Sequence, residues 1–186
     1  MAADDVVERL VGALHEYQAK VTPSYDEVLN EVTAVAKETG SLGKVEIGAL
    51  VLWKRLNAST KWAAQLMNTP DTEVRAATAA ARRAAEATEI EAAARAARAA
   101  IWVLPGFRTG DALASAVLCA LVPHRLAVYD RRAHAGLHSL GITLSNGSGR
   151  YGRYMVAVEQ LRDRALESGH ELTVRDVDLA LYTLGG

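Results

Sequence analysis

Residues 104–141 read LPGFRTGDALASAVLCALVPHRLAVYDRRAHAGLHSLG, and four local signals follow one another along them. Residues 104–110 form a turn rich in Pro, Gly and Thr. From about 111 to 121 nearly every residue is apolar or small, as in a buried helix. Residues 126–129 are the best candidate in the chain for a short extended link. Asp130 then stands where a helix N-cap belongs, ahead of a helical stretch that runs to Leu140. Strand patterns are nearly absent elsewhere, so the architecture predicted for the chain is all-α.

Outward from that stretch, helix signals continue in both directions. Val6, Val7, Leu10, Val11 and Leu14 share one face of a first helix. In PSYDE, residues 23–27, Ser24 is placed to cap a second helix while Glu27 reaches back to it. Val28, Val32 and Val35 line its inner face, and GSLG at 40–43 ends it. A third helix is predicted over about 45–56. Thr69-Pro70 predicts a further start, with Thr69 as cap and Pro70 in the first turn, where its missing N–H costs nothing. Residues 76–100 hold fifteen alanines in twenty-five positions. Alanine is the strongest helix former, and Arg82–Glu86 and Glu91–Arg95 have ion-pair spacing, so two helices meeting near Thr88 are expected. Helices over 151–168 and 173–184 follow a flexible SNGSG loop at 145–149, with Thr173 and Asp176 capping the last. No repeat and no linker interrupts the chain, which reads as one domain over 1–186.

Half the residues are hydrophobic but only 5% are aromatic, a balance that favours packed helices. No apolar run approaches the roughly 20 residues that span a bilayer, and the acidic start MAADDVVERL is unlike a signal peptide. A cytoplasmic protein with no membrane contact is expected. The single cysteine, Cys119, sits among apolar residues and reads as a buried thiol; alone it makes no internal disulfide and holds no iron-sulfur cluster. His134 and His138 are one helical turn apart, but no acidic or cysteine ligand accompanies them, so no metal and no other cofactor is expected. The net charge of −1 conceals a gradient. Residues 1–46 carry four Lys/Arg against nine Asp/Glu, and residues 154–186 three against six; between them, 47–107 carry eight against five and 108–153 six against two. A basic middle between acidic ends suits contact with phosphates.

The order of turn, apolar helix, link and aspartate resembles the helix-hairpin-helix DNA glycosylase superfamily. The family pattern of Leu-Pro-Gly-hydrophobic-Gly, then three residues and an Ala, begins at Leu104-Pro105-Gly106-Phe107, but Arg108 stands where the second Gly belongs. Alternatively Gly110 is that Gly and Ala114 the alanine, which places Asp130 sixteen residues on, the family's separation between hairpin alanine and catalytic aspartate. The register around Gly106 and Gly110 stays open between these two. The resemblance is closest to a group of mostly uncharacterised small bacterial members, through Trp53-Lys54, Ala114-Ser115-Ala116, Asp130-Arg131-Arg132-Ala133 and Asp178-Leu179-Ala180-Leu181-Tyr182. These matches extend over roughly residues 46–184.

The resemblance implies two helical lobes sharing a cleft, with the hairpin at about 98–121 and double-stranded DNA as the partner of a monomer. It implies a monofunctional DNA glycosylase that excises a damaged or modified base by hydrolysing the N-glycosidic bond. Asp130 would be the catalytic residue, since a fixed carboxylate stabilises oxocarbenium character and orients water. Gly106, Arg108, Thr109 and Gly110 would bind the DNA backbone, joined by Arg132 and by Asn57 in the place of the residue that fills the gap left by the base. Trp53, Lys54, Tyr151 and Tyr154 are the expected base pocket, although Trp53 suits a core position equally. Family members that also cut the strand use a hairpin lysine, whose place Ala112 takes here, and no lysine follows Lys61. Strand scission is therefore not expected unless Lys54 or Lys61 folds back into the cleft. The alternative readings are a catalytically silent helix-hairpin-helix DNA-binding module and a helical protein-interaction domain.

Overall fold

The computed structural model describes residues 3–87 and 89–186. It is all-helical: ten α-helices, and no strand among the described residues. They are α1 (Ala3–Lys20), α2 (Glu27–Thr39), α3 (Lys44–Trp53), α4 (Lys61–Asn68), α5 (Asp71–Ala84), α6 (Ile90–Ala100), α7 (Ala112–Leu121), α8 (Arg131–Ser139), α9 (Arg150–Glu167) and α10 (Val174–Leu184). No described helix is long and apolar enough to cross a membrane.

The apolar stretch of the motif becomes the central helix. Every residue from Leu113 to Leu121 of α7 is buried, which is what a helix apolar on all sides requires. Helices α2, α3, α5 and α6 pack around it. Helix α10 packs on α1, α8 and α9, and α9 packs on α6, so a contiguous apolar core runs from Val6 to Leu181. Cys119 lies within it, and burial pushes its thiol pKa up to about 12, which leaves it inert. Helices α8 and α10 touch at Gly136, where a Cβ would collide with the carbonyl of Leu181; any larger residue would force the two helices apart.

Several local expectations are met and several are replaced. Gly40 ends α2 in the left-handed conformation at φ 75°, and Thr173 and Asp176 form the expected capping box of α10. Pro23–Asp26, by contrast, is a short 3-10 turn and Ser24 caps nothing there, because the chain enters α2 through Asp26. Thr69 closes α4 rather than opening α5: its hydroxyl donates back to Gln65 O, and Pro70 holds the N-cap position. Helix α4 falls where no helix was expected; it gives the core one buried residue, Leu66, with Trp62 packed half-buried against it, too little to set a periodicity. Helix α3 stops at Trp53, short of Leu56, because Arg55 adopts φ 52°. In the alanine-rich segment α5 ends at Ala84 and α6 starts at Ile90, while Thr88 lies outside the described residues. Glu91–Arg95 pairs at 4.0 Å. Arg82 instead donates to Ala36 O across to α2, since Glu86 lies beyond the end of its helix.

Candidate functional site

The site begins with the link that precedes α8. Residues 126–129 belong to no helix and are buried, so their backbone groups need partners inside the protein. Tyr151 and Tyr154 donate their hydroxyls to Ala127 O and Val128 O, each at 2.9 Å. Ser115 of α7 grips Tyr129 twice: its hydroxyl accepts from Tyr129 N at 2.8 Å and donates to Tyr129 O at 3.1 Å. These bonds fix the backbone one residue ahead of Asp130. Ser115→Ala should orphan both groups and cost about 1–3 kcal/mol. Thermal or urea unfolding measures that loss, and unchanged stability would remove Ser115 from this role.

Asp130 caps α8 through one oxygen, Oδ1, which accepts from Arg132 N at 2.9 Å and Ala133 N at 3.0 Å. Its other oxygen, Oδ2, lies 2.5 Å from Lys54 Nζ at the end of α3. Both side chains are largely enclosed, 16% and 13% exposed. Burial alone would raise the Asp130 pKa, but the Lys54 ammonium and the Ala133 and Arg132 amides outweigh it and hold the carboxyl below its ordinary range. The pair joins positions 76 residues apart, and it is the fold-back of Lys54 on which the expectation about strand scission turned.

Around this pair stands a second set of charges, of which sequence reasoning had picked out only Asp178, in the C-terminal match. Arg175 Nη2 donates to both Asp26 oxygens, at 3.0 and 2.8 Å, and Arg175 Nη1 contacts Asp178 Oδ2. Asp26 also accepts from Trp53 Nε1 at 3.2 Å, and the guanidinium of Arg175 lies 5.4 Å from the Trp53 ring centre. Burial pushes the Asp178 pKa up while Arg175 pulls it down, and the first effect prevails. Burial opposes the charge on Arg175, but the flanking carboxylates more than compensate and its pKa is raised. Tyr17, Tyr25 and Tyr182 complete the walls, and burial together with Asp26 lifts the Tyr17 hydroxyl to about 12. One signal pointed to Asp178: it falls on the same helical face as Val174, Val177 and Leu181, all buried, and a carboxylate on a core face demands a partner. Arg175 and Asp26 carried no such pattern.

These residues enclose a cavity of about 30 Å³, room for one or two waters. The open cleft expected at Asp130 is thus a narrow, water-sized chamber in this state. Trp53 and Lys54 line it, as the base-pocket reading expected. Tyr151 and Tyr154 do not; they are core residues whose hydroxyls are spent on the link, and their place is taken by Tyr17, Tyr25 and Tyr182. Asn57 is exposed in the loop after α3 with Oδ1 turned to Ser59 N. Arg132 lies over the Tyr182 ring at 4.5 Å, next to the chamber. His134 Nδ1 is 3.0 Å from the Tyr129 hydroxyl.

Gly106 and Gly110 both adopt positive φ, 90° and 76°, so the turn between α6 and α7 uses the freedom of each glycine. Gly106 also admits the Trp62 ring, which a Cβ would strike. Arg108, Thr109 and Gly110 are exposed at the tip. Asp111, at the N-cap of α7, caps nothing with its side chain and pairs instead with Arg98 at 3.2 Å. No family model, no curated protein and no solved structure matches this chain.

Proposed function

We propose that this chain binds double-stranded DNA and excises a modified base by hydrolysing its N-glycosidic bond. The observation that carries the reading is Asp130: a rigid carboxylate, kept ionised by an ammonium and two helix amides, beside a chamber that admits water. In that setting it faces developing positive charge on the sugar as the base departs, and it takes the proton of the water that attacks C1′. The departing base leaves with its bonding electrons and acquires a proton. Lys54 neutralises the resting carboxylate and positions it. Trp53, Tyr25 and Tyr182 supply flat apolar walls for an extruded base, which enters only if they and Lys54 move apart. That opening would part Trp53 and Lys54, at the end of α3, from Arg175 and Tyr182 of α10. Gly106, Arg108, Thr109 and Gly110 hold the DNA backbone through the α6–α7 turn.

The test is a panel of duplexes each carrying one modified base, incubated with the protein and then with alkali to break abasic sites. Release of one base class is the expected result, and because Lys54 does fold back to Asp130, trapping by borohydride decides whether the strand is also cut. A trapped adduct that Lys54→Gln abolishes would make Lys54 a nucleophile and the protein a strand-cutting enzyme. The closed chamber favours a second reading, a DNA-binding module without catalysis. Duplex binding with every base retained would establish that reading instead.

A further inference from the structure

A second cleft, of about 670 Å³, lies between α6, the tip of the α6–α7 turn and the start of α9, and shares Arg108 and Gly110 with the turn assigned to the duplex backbone. Arg95, Arg98, Arg108 and Arg150 line it, against a single carboxylate, Asp111, which Arg98 Nε already neutralises. Helix α9 opens into this cleft in a way that is unfavourable for an empty site. Its N-cap, Gly149, provides no side-chain cap, its first turn has no acidic residue, and its first residue is Arg150. Arg95 lies against that same end, so close that a Cβ on Gly149 would sit 3.2 Å from its Nε. Cations are thus gathered at the positive end of an 18-residue helix whose first amides have no partner in the helix. Glu91, 4.0 Å from Arg95, offsets these charges only in part, and an anion in the cleft would offset the rest.

Two further features say what kind of anion. The loop before α9 is held by Arg153, which donates to the carbonyls of Ser145, Gly147 and Ser148 at 2.9, 3.1 and 2.8 Å. Because a trans peptide sets its N–H opposite its carbonyl, the amides paired with these carbonyls point away from Arg153. Trp102, 50% exposed, stands in the same cleft with the Arg98 guanidinium 5.3 Å from its ring centre, where Arg98 Nη2 donates to Gly110 O at 3.2 Å. A free indole beside several guanidinium groups suits a ligand that alternates phosphate and flat base.

We propose that this cleft binds a single nucleic-acid strand, with phosphates held by Arg95, Arg108, Arg150 and the α9 amides, and an unpaired base stacked on Trp102. Single-stranded rather than duplex DNA is indicated because a paired, stacked base has no free face to offer the indole. The proposal does not rest on base excision at Asp130.

The experiment is anisotropy of a labelled oligothymidylate on the order of ten nucleotides long, titrated with the full chain. Binding should weaken about tenfold or more between roughly 50 and 200 mM salt. Trp102→Ala should weaken it about tenfold, as loss of one stacked base does, and Arg95→Gln with Arg150→Gln should weaken it at least as much. Trp102 is at the surface and both arginines line the cleft, so these variants should fold, which circular dichroism checks. Asp130→Asn should bind oligothymidylate like the wild type, so failure here and failure of excision are read separately. No binding of oligothymidylate, binding equal in all variants, or competition by polyglutamate as effective as by the oligonucleotide would each overturn the proposal, as would binding of duplex alone.

Discussion

Arg175→Met should cost about 3–5 kcal/mol of folding stability. The methionine fills similar space, so the loss measures charge rather than volume. Asp178, whose side chain is 4% exposed, and Asp26 would be left without their shared cation. The pH dependence has a definite sign. Burial already raises the Asp178 pKa above its ordinary value, and removal of the cation raises it further. A carboxyl with a raised folded pKa destabilises above that pKa and not below the unfolded value, so the penalty should be greatest near neutrality and shrink in acid. Adding Asp178→Asn should recover part of the loss, because the two sites are in contact and couple. Urea unfolding at several pH values measures all of this. A loss under about 1 kcal/mol at neutral pH, the level of an exposed pair, would contradict the account of the buried network.

Asp130→Asn should lower base release by about a hundredfold or more while leaving the fold in place. The amide oxygen of asparagine still accepts from the Arg132 and Ala133 amides and still caps α8. Its NH2 then takes the place of Oδ2 beside the Lys54 ammonium, donor against donor, so the stability cost should be about 1–3 kcal/mol. What it lacks is charge: it can neither stabilise an oxocarbenium ion nor take a proton from water. DNA affinity should hold or rise, since a negative charge near phosphates has gone. Single-turnover kinetics and a binding titration on the same duplex separate the two effects. A variant with wild-type release would remove Asp130 from the chemistry.

Much of the fold is legible in the sequence because the helices announce themselves locally. The all-apolar face of 113–121 required a central helix, the Thr173–Asp176 box started α10, and Asp130 ahead of Arg131 marked the start of α8. What was not legible depends on distant parts of the chain. Ser24 looks like a cap only until Asp26 is drawn toward Trp53 and Arg175, a partner 149 residues away. Tyr151 and Tyr154 look available for stacking because their sequence neighbours border the motif. Their hydroxyls are claimed by carbonyls of a buried link with no sheet to satisfy it. Lys54 was noticed as half of a Trp-Lys pair, and only the packing of α3 against the rest of the core brings it to Asp130. Local periodicity specifies elements; the identity of the site comes from which buried charges must find one another.

The central claim is that Asp130 acts as an ionised carboxylate, and the pH profile of single-turnover base release at saturating protein tests it most directly. Lys54 and the α8 amides hold its pKa below the ordinary carboxylate value of 3.8, and the amides stay with it when Lys54 moves aside, so release should stay level as pH falls from neutrality toward that value. Below it, release should drop with the uptake of one proton. The residual release by Asp130→Asn should lack that limb. A profile that falls well above 3.8, or one that persists unchanged in Asp130→Asn, would contradict the account.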